Sequence, residues 1–128
     1  MLTDDQKALF EGMNFAHLAT VMPDGSPQVS PVWVEMDGDD IIVNSAEGRV
    51  KTNNLHRDPR VAISITSADD GYEMVAVRGR VVEMTHERAE EGIDRLARKY
   101  LAVDAYEGRT PGMVRVSIRI RPEVVATM

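Results

Sequence analysis

Apolar and polar residues alternate with a period of two through much of this chain, and short turn sequences punctuate the alternation. Residues 15–22 (Phe-Ala-His-Leu-Ala-Thr-Val-Met) read as a strand. Pro23-Asp24-Gly25-Ser26 then makes a turn, since proline presets φ and glycine accepts the left-handed conformation. The pattern predicts a return strand over Pro27–Met36, a second turn at Asp37-Gly38-Asp39 and a third strand over 40–45. A fourth strand is expected over 60–67. After the polar loop Ala68–Gly71 comes a long fifth strand over 72–85, with Gly79 as a bulge or close-approach point. The sixth alternates Val114, Val116, Ile118 and Ile120 on one face with Arg115, Ser117, Arg119 and Arg121 on the other.

Three stretches take helical spacing instead. Thr3 and Gln6 have the capping-box separation, followed by a stripe of Ala8, Leu9 and Met13, with Gly12 near the helix end. A short helix is expected from Gly48 to Arg57, ended by Asp58-Pro59 because proline restricts the residue before it. Thr85 can cap a helix over 86–101, whose apolar face is Ala89, Ile93, Leu96, Ala97 and Tyr100; the loop 102–112 follows. Six strands with two to three helices predict a mainly β fold, a closed or split antiparallel barrel. Side chains fill so small a barrel, which puts a large ligand outside it, in a groove that two subunits can share.

Composition narrows the chemistry. The 128 residues suit one domain over 1–128, and the absence of cysteine excludes disulfides, thiolate metal sites and cysteine nucleophiles. Asp4, Asp5 and Lys7 interrupt any apolar run at the start, so no signal peptide is expected; with no stretch long enough to span a bilayer, a cytoplasmic location and no membrane partner are expected. A net charge of −6 argues against nucleic acid as a main partner. Against that acidic background, residues 49–61 stand out: Arg49, Lys51, Arg57 and Arg60 face one acid, Asp58. Cations gathered where a strand gives way to a helix suit a phosphate or carboxylate, although a solvated helix face would show the same composition.

Catalytic groups are harder to find. His17, His56 and His86 show no metal-ligand spacing; His17 reads as a partly buried strand residue, His86 as a first-turn helix residue, and His56 adjoins the basic cluster. The serines lack a nucleophile-elbow pattern, no GxGxxG or P-loop is present, and Glu87, Glu90, Glu91 and Asp94 read as a solvated helix face. An anion site without a catalytic dyad matches proteins that leave the hard chemistry to a cofactor.

Three segments carry a family resemblance. Leu18-Ala19-Thr20, Pro23-Asp24-Gly25 and Pro27-Gln28-Val29-Ser30-Pro31-Val32-Trp33 resemble the opening hairpin of the pyridoxamine-phosphate-oxidase-like split-barrel superfamily. Residues 45–55 (Ser-Ala-Glu-Gly-Arg-Val-Lys-Thr-Asn-Asn-Leu), with Arg57-Asp58-Pro59-Arg60-Val61, are similar to its cofactor-phosphate segment. Arg-x-Lys-Thr-x-Asn-Leu is most similar to the deazaflavin-using branch, the flavin/deazaflavin oxidoreductases of group B. Asp70-Gly71-Tyr72 and the Gly79 strand continue the resemblance, which is good over residues 9–85 and loose beyond. The Arg-x-x-x-Leu-Lys arrangement and C-terminal pattern of true pyridoxamine phosphate oxidases are missing, so vitamin-B6 oxidation is not implied.

What the resemblance implies is a homodimer with a flavin-type cofactor in each of two interfacial grooves. Arg49 and Lys51 would hold the cofactor phosphate, supported by Ser45, Thr52 and Asn54; Gln28, Ser30, Pro31, Val32 and Trp33 would line the tricyclic ring. For Trp33 a plain core role stays open beside ring contact. Tyr72, from the opposite subunit, would sit near the ring or substrate pocket, and any proton needed would come from solvent or from Tyr72. The implied activity is hydride transfer between coenzyme F-420 and an electron-poor organic acceptor. The alternatives are an FMN-dependent oxidoreductase of the same fold and a non-catalytic cofactor carrier. No metal is expected.

Overall fold

The computed structural model describes residues 1–127. Its elements run α1 (Asp4–Glu11), β1 (Ala16–Val21), β2 (Pro27–Val32), β3 (Val34–Asp37), β4 (Asp40–Ala46), α2 (Val50–Arg57), β5 (Arg60–Thr66), β6 (Met74–Thr85), α3 (Ala89–Leu101) and β7 (Arg115–Ala126). Every strand pairing is antiparallel, in the order β2-β1-β5-β6-β7-β4-β3. The two ends of that order, β2 and β3, are separated in the chain by Trp33 alone. Successive Cα atoms are about 3.8 Å apart, so both sheet edges must meet at this residue, and the sheet can do that only by rolling up. Among the described residues the result is a mainly β half-barrel with three helices, joined covalently at a seam that no strand ladder closes.

Seven strands stand where six were expected, because the return strand breaks at Trp33 and changes partner from β1 to β4. Its first half carries Pro27 and Pro31, which cannot donate to a ladder. They are tolerated because β2 lies at an edge of the sheet order, paired only with β1.

Alternation fills the barrel. Leu18 of β1, Val61, Ile63 and Ile65 of β5, Val75 and Val77 of β6, and Val116, Ile118 and Ile120 of β7 all point inward and are buried, with Phe10 of α1 and Leu55 of α2 joining them. Gly79 sits at a register shift in the β6–β7 ladder, close against the Arg121 backbone. Thr3 and Gln6 form both bonds of the expected capping box. The predicted face of α3 is buried at all five positions.

Several local expectations need correction. The α1 stripe is Leu9 and Phe10; Met13 is exposed because the helix stops at Glu11. His17 is exposed, since its neighbours Ala16 and Leu18 take the inner face. His86 precedes α3 rather than opening it: Thr85 Oγ1 accepts the Glu87 N–H at 3.0 Å in a turn, and Arg88 at φ 62° starts the helix at Ala89. Val114 lies outside β7 and is exposed, whereas Arg115 is buried.

Asp58 closes α2 as expected, its N–H donating to the Asn54 carbonyl. Its carboxylate accepts from the Arg60 guanidinium at 2.7 Å and from the Arg60 N–H at 3.1 Å, which lowers its pKa to about 2. Because the folded value lies below the ordinary one, its stabilising contribution is complete above about pH 4 and disappears as pH falls through about 2. A carboxyl NMR titration should show this midpoint, and Arg60→Ala should raise it part of the way back, because the backbone N–H at position 60 still donates.

Candidate functional site

The link from β4 to α2 turns through Gly48 at φ 89°, a left-handed conformation that side chains resist. Arg49 then takes the N-cap position without capping the helix through its side chain, which leaves its guanidinium available. Lys51 follows two residues on, in the first turn of α2, half-buried, with its ammonium 3.4 Å from Ser30 Oγ.

Polar bonds beneath fix this geometry. Thr52 Oγ1 donates to Ser45 Oγ at 2.9 Å, both residues being fully buried, and so ties α2 to β4. Asn54 Nδ2 donates to Thr20 Oγ1 at 2.9 Å, and Thr20 in turn donates to Gln28 Oε1 at 2.9 Å. Arg57 donates to Asn54 Oδ1 at 3.1 Å and to the Val21 carbonyl at 2.6 Å. Buried polar groups keep such partners because leaving them unmade is costly. Ser45, Thr52, Asn54 and Gln28 thus anchor the basic segment to the sheet.

Beside this junction lies a pocket of about 310 Å³. Phe15, Pro31, Val32 and Ile93 make an apolar wall, Trp33 and Tyr106 add aromatic surface, and Asn44, Arg49, Lys51 and Arg115 form the polar end. The Trp33 ring stacks on Tyr100 with centroids 5.3 Å apart and planes 7° apart, and it meets Tyr106 edge-on at 6.3 Å. Trp33 is partly buried rather than in the core, packing one face on Tyr100 while lining the pocket. Tyr100 itself is held by its hydroxyl, which donates to the Asn14 carbonyl at 2.7 Å and accepts the Val34 N–H at 3.2 Å.

Among the described residues, three cations and no carboxylate line the pocket. Burial pushes the Lys51 ammonium below its usual pKa, and the positive charges of Arg49 and Arg115 push it further. Burial likewise lowers Arg115, with Arg49 adding to the effect. Such mutual repulsion is relieved by an anion. The chemistry on offer is therefore recognition of an anionic group at one end and a flat apolar body along the wall. Among the described residues no cluster of His, Cys, Asp or Glu could hold a metal ion.

Of the residues expected from sequence, Pro31, Val32, Trp33, Arg49 and Lys51 come together in the pocket, and Ser30 and Gln28 share the inner face of β2 beside it. Ser45, Thr52 and Asn54 lie underneath. Tyr72 is 82% exposed in the turn before β6 and does not line this pocket. His56 and His86 both reach Glu47, at 2.9 and 3.3 Å, on the exposed side of the junction.

Sequence reasoning did not find Phe15, Asn44, Ile93, Tyr106 or Arg115 as pocket residues. Asn44 carried a readable signal, a lone amide at the end of the apolar run Ile41–Val43. Its side chain donates to the Ala89 carbonyl at 2.8 Å and accepts from Arg115 Nε at 2.9 Å, joining α3 to β7. Tyr106 comes from the α3–β7 loop, which Asp94 holds by accepting the Tyr106 N–H at 2.9 Å and pairing with Arg109 at 2.8 Å.

Comparison with known proteins places this architecture. A structure named F-420 reductase is similar at 29% identity and a TM-score of 0.86, covering 99% of this chain and 100% of that one. An FAD-binding protein from Mesorhizobium loti shares the fold at 21% identity, with 98% and 92% coverage and a TM-score of 0.70. HupZ from Group A Streptococcus does so at 20% identity, with full coverage of both chains and a TM-score of 0.72. A family model described as pyridoxamine 5'-phosphate oxidase matches residues 2–128, and with that match running almost end to end the chain belongs to the pyridoxamine 5'-phosphate oxidase family.

Proposed function

We propose that the protein is an oxidoreductase that binds coenzyme F-420 and passes hydride from its reduced form to an electron-poor organic acceptor. The observation that carries this reading is the joining of a three-cation pocket end to an apolar and aromatic wall. The full-length likeness to a structure named F-420 reductase supports the deazaflavin over FMN. When bound, the cofactor supplies the hydride chemistry. Arg49 and Lys51 hold its phosphate, while Pro31, Val32 and Trp33 lie along the ring and keep water from one side of it.

A pocket of about 310 Å³ lies at the low end of the roughly 300–1,000 Å³ typical of small-molecule sites. In our reading a second copy of the chain supplies the missing wall and, with it, Tyr72. The outer sheet face suits that role: His17, Ala19, Val29, Ala62, Ser64, Ala76 and Val124 surround a shallow, largely apolar depression of about 320 Å³. Val29 there is 62% exposed. Sedimentation should show a dimer, and Val29→Asp should shift it toward monomer with weakened cofactor binding. A stable monomer with full affinity would contradict the shared groove.

Activity is tested by mixing reduced coenzyme F-420 and enzyme with a panel of quinone-like and unsaturated carbonyl acceptors. Enzyme-dependent reoxidation with at least one acceptor is expected. Tight binding without turnover across the panel would favour a carrier.

A further inference from the structure

Arg115 is the one pocket cation outside the basic segment that starts α2. It opens β7 directly opposite Ala46 of β4 and is only 4% exposed. Several other arginines are paired with acids, among them Arg95 with Glu35, Arg109 with Asp94 and Arg119 with Asp40. The direct contacts of Arg115 are neutral instead, and Glu90, the acid nearest in effect, acts on it without forming an ion pair. Its Nε donates to Asn44 Oδ1 at 2.9 Å, its Nη1 reaches the Met113 sulfur at 3.4 Å, and its guanidinium lies 5.4 Å from the Tyr106 ring centroid. Among the described residues its Nη2 makes no hydrogen bond and no carboxylate pairs with it, although the side chain lines the pocket. Burying a charge without an opposite charge is strongly unfavourable, so a partner that arrives from outside would complete the site.

We propose that Arg115 is a ligand-binding residue that joins Arg49 and Lys51 in a three-cation site selecting a group of at least two negative charges. A phosphate monoester meets that requirement, and so does a phosphodiester with a carboxylate beside it. A group with one negative charge would leave two cations crowded at low dielectric, whereas a dianion balances more of the repulsion. With the guanidinium held by Asn44 and Tyr106, its Nη2 can donate a charge-assisted bond to an oxygen anion. The inference rests on reading this pocket as the anion end of the cofactor site, but its test does not need the cofactor.

Chemical-shift titration of the full chain with methyl phosphate and with dimethyl phosphate at pH 8 compares a dianion with a monoanion of similar shape. The wild type should bind methyl phosphate at least about tenfold more tightly. Arg115→Met should reduce that preference to about twofold or less, and Arg115→Lys should retain most of it. Equal binding of the two probes by the wild type overturns the proposal, as does a full preference in Arg115→Met. Should Arg115→Met fail to melt cooperatively, the wild-type ratio still decides. A residue that only supports the fold would change both affinities together and leave their ratio intact. Charge selection with no binding of F-420 or FMN would refute the cofactor reading alone. Cofactor binding without charge selection would refute Arg115's role alone.

Discussion

Replacing Lys51 with alanine is expected to weaken binding of the proposed cofactor by roughly 10- to 100-fold, about 1.5–3 kcal/mol, through loss of a hydrogen bond from a charged donor. The ammonium lies at the polar end of the pocket with two other cations, and among the described residues its hydrogen bond is a long one to Ser30. Burial and the repulsion of Arg49 and Arg115 depress its pKa, so the fold holds this charge at a cost. The substitution should leave thermal stability unchanged or slightly raised while affinity falls. That pairing separates a binding residue from a fold residue. Fluorescence titration with a melting curve on the same sample reads both, and unchanged affinity would remove Lys51 from the site.

Gly79→Ala should destabilise the sheet strongly for the addition of a single methyl group. A Cβ at this position would lie 2.2 Å from the Arg121 carbonyl oxygen and 3.2 Å from Pro122 Cα, both backbone atoms of the paired strand β7. Backbone in a ladder cannot swing aside as a side chain can. The β6–β7 pairing, which already shifts register at this point, would have to open locally. We expect a loss of about 3 kcal/mol, the upper end of the usual overpacking range, measurable as a lower midpoint in urea. Against a domain stability of about 5–15 kcal/mol this is a large fraction. Gly71, which has open space around its Cβ position, provides the control: Gly71→Ala should be nearly neutral.

The same contrast explains what the sequence made legible. Inner faces of β5 and β7 and the buried face of α3 follow from local periodicity, which burial enforces residue by residue. Gly79 was recognisable because a glycine inside a long apolar strand has few other reasons to be there. The basic segment was visible as a charge anomaly, and Arg49 and Lys51 indeed lie at the pocket. The break at Trp33 was hidden because an unbroken alternation of Val32 and Val34 looks the same whether or not the strand changes partner. Phe15, Ile93, Tyr106 and Arg115 reach the pocket from four separate elements or loops, and no spacing along the chain encodes that meeting. Arg115 was assigned to the polar face of the last strand by its alternation with Val116. Its burial follows from Asn44 and Tyr106, which are distant in sequence. Ser45, Thr52 and Asn54 lay in the segment identified, but their hydroxyls and amide are turned to internal partners, a distinction only geometry makes.

The central claim is that this pocket holds a deazaflavin by its phosphate end. Side-by-side equilibrium titration of the purified protein with coenzyme F-420 and FMN tests it most directly. The account predicts saturable binding of coenzyme F-420 at least about tenfold tighter than that of FMN, which corresponds to about 1.4 kcal/mol. Tighter binding of FMN would contradict the deazaflavin assignment and make the protein a flavin-dependent member of its family; binding of neither would contradict the cofactor site itself.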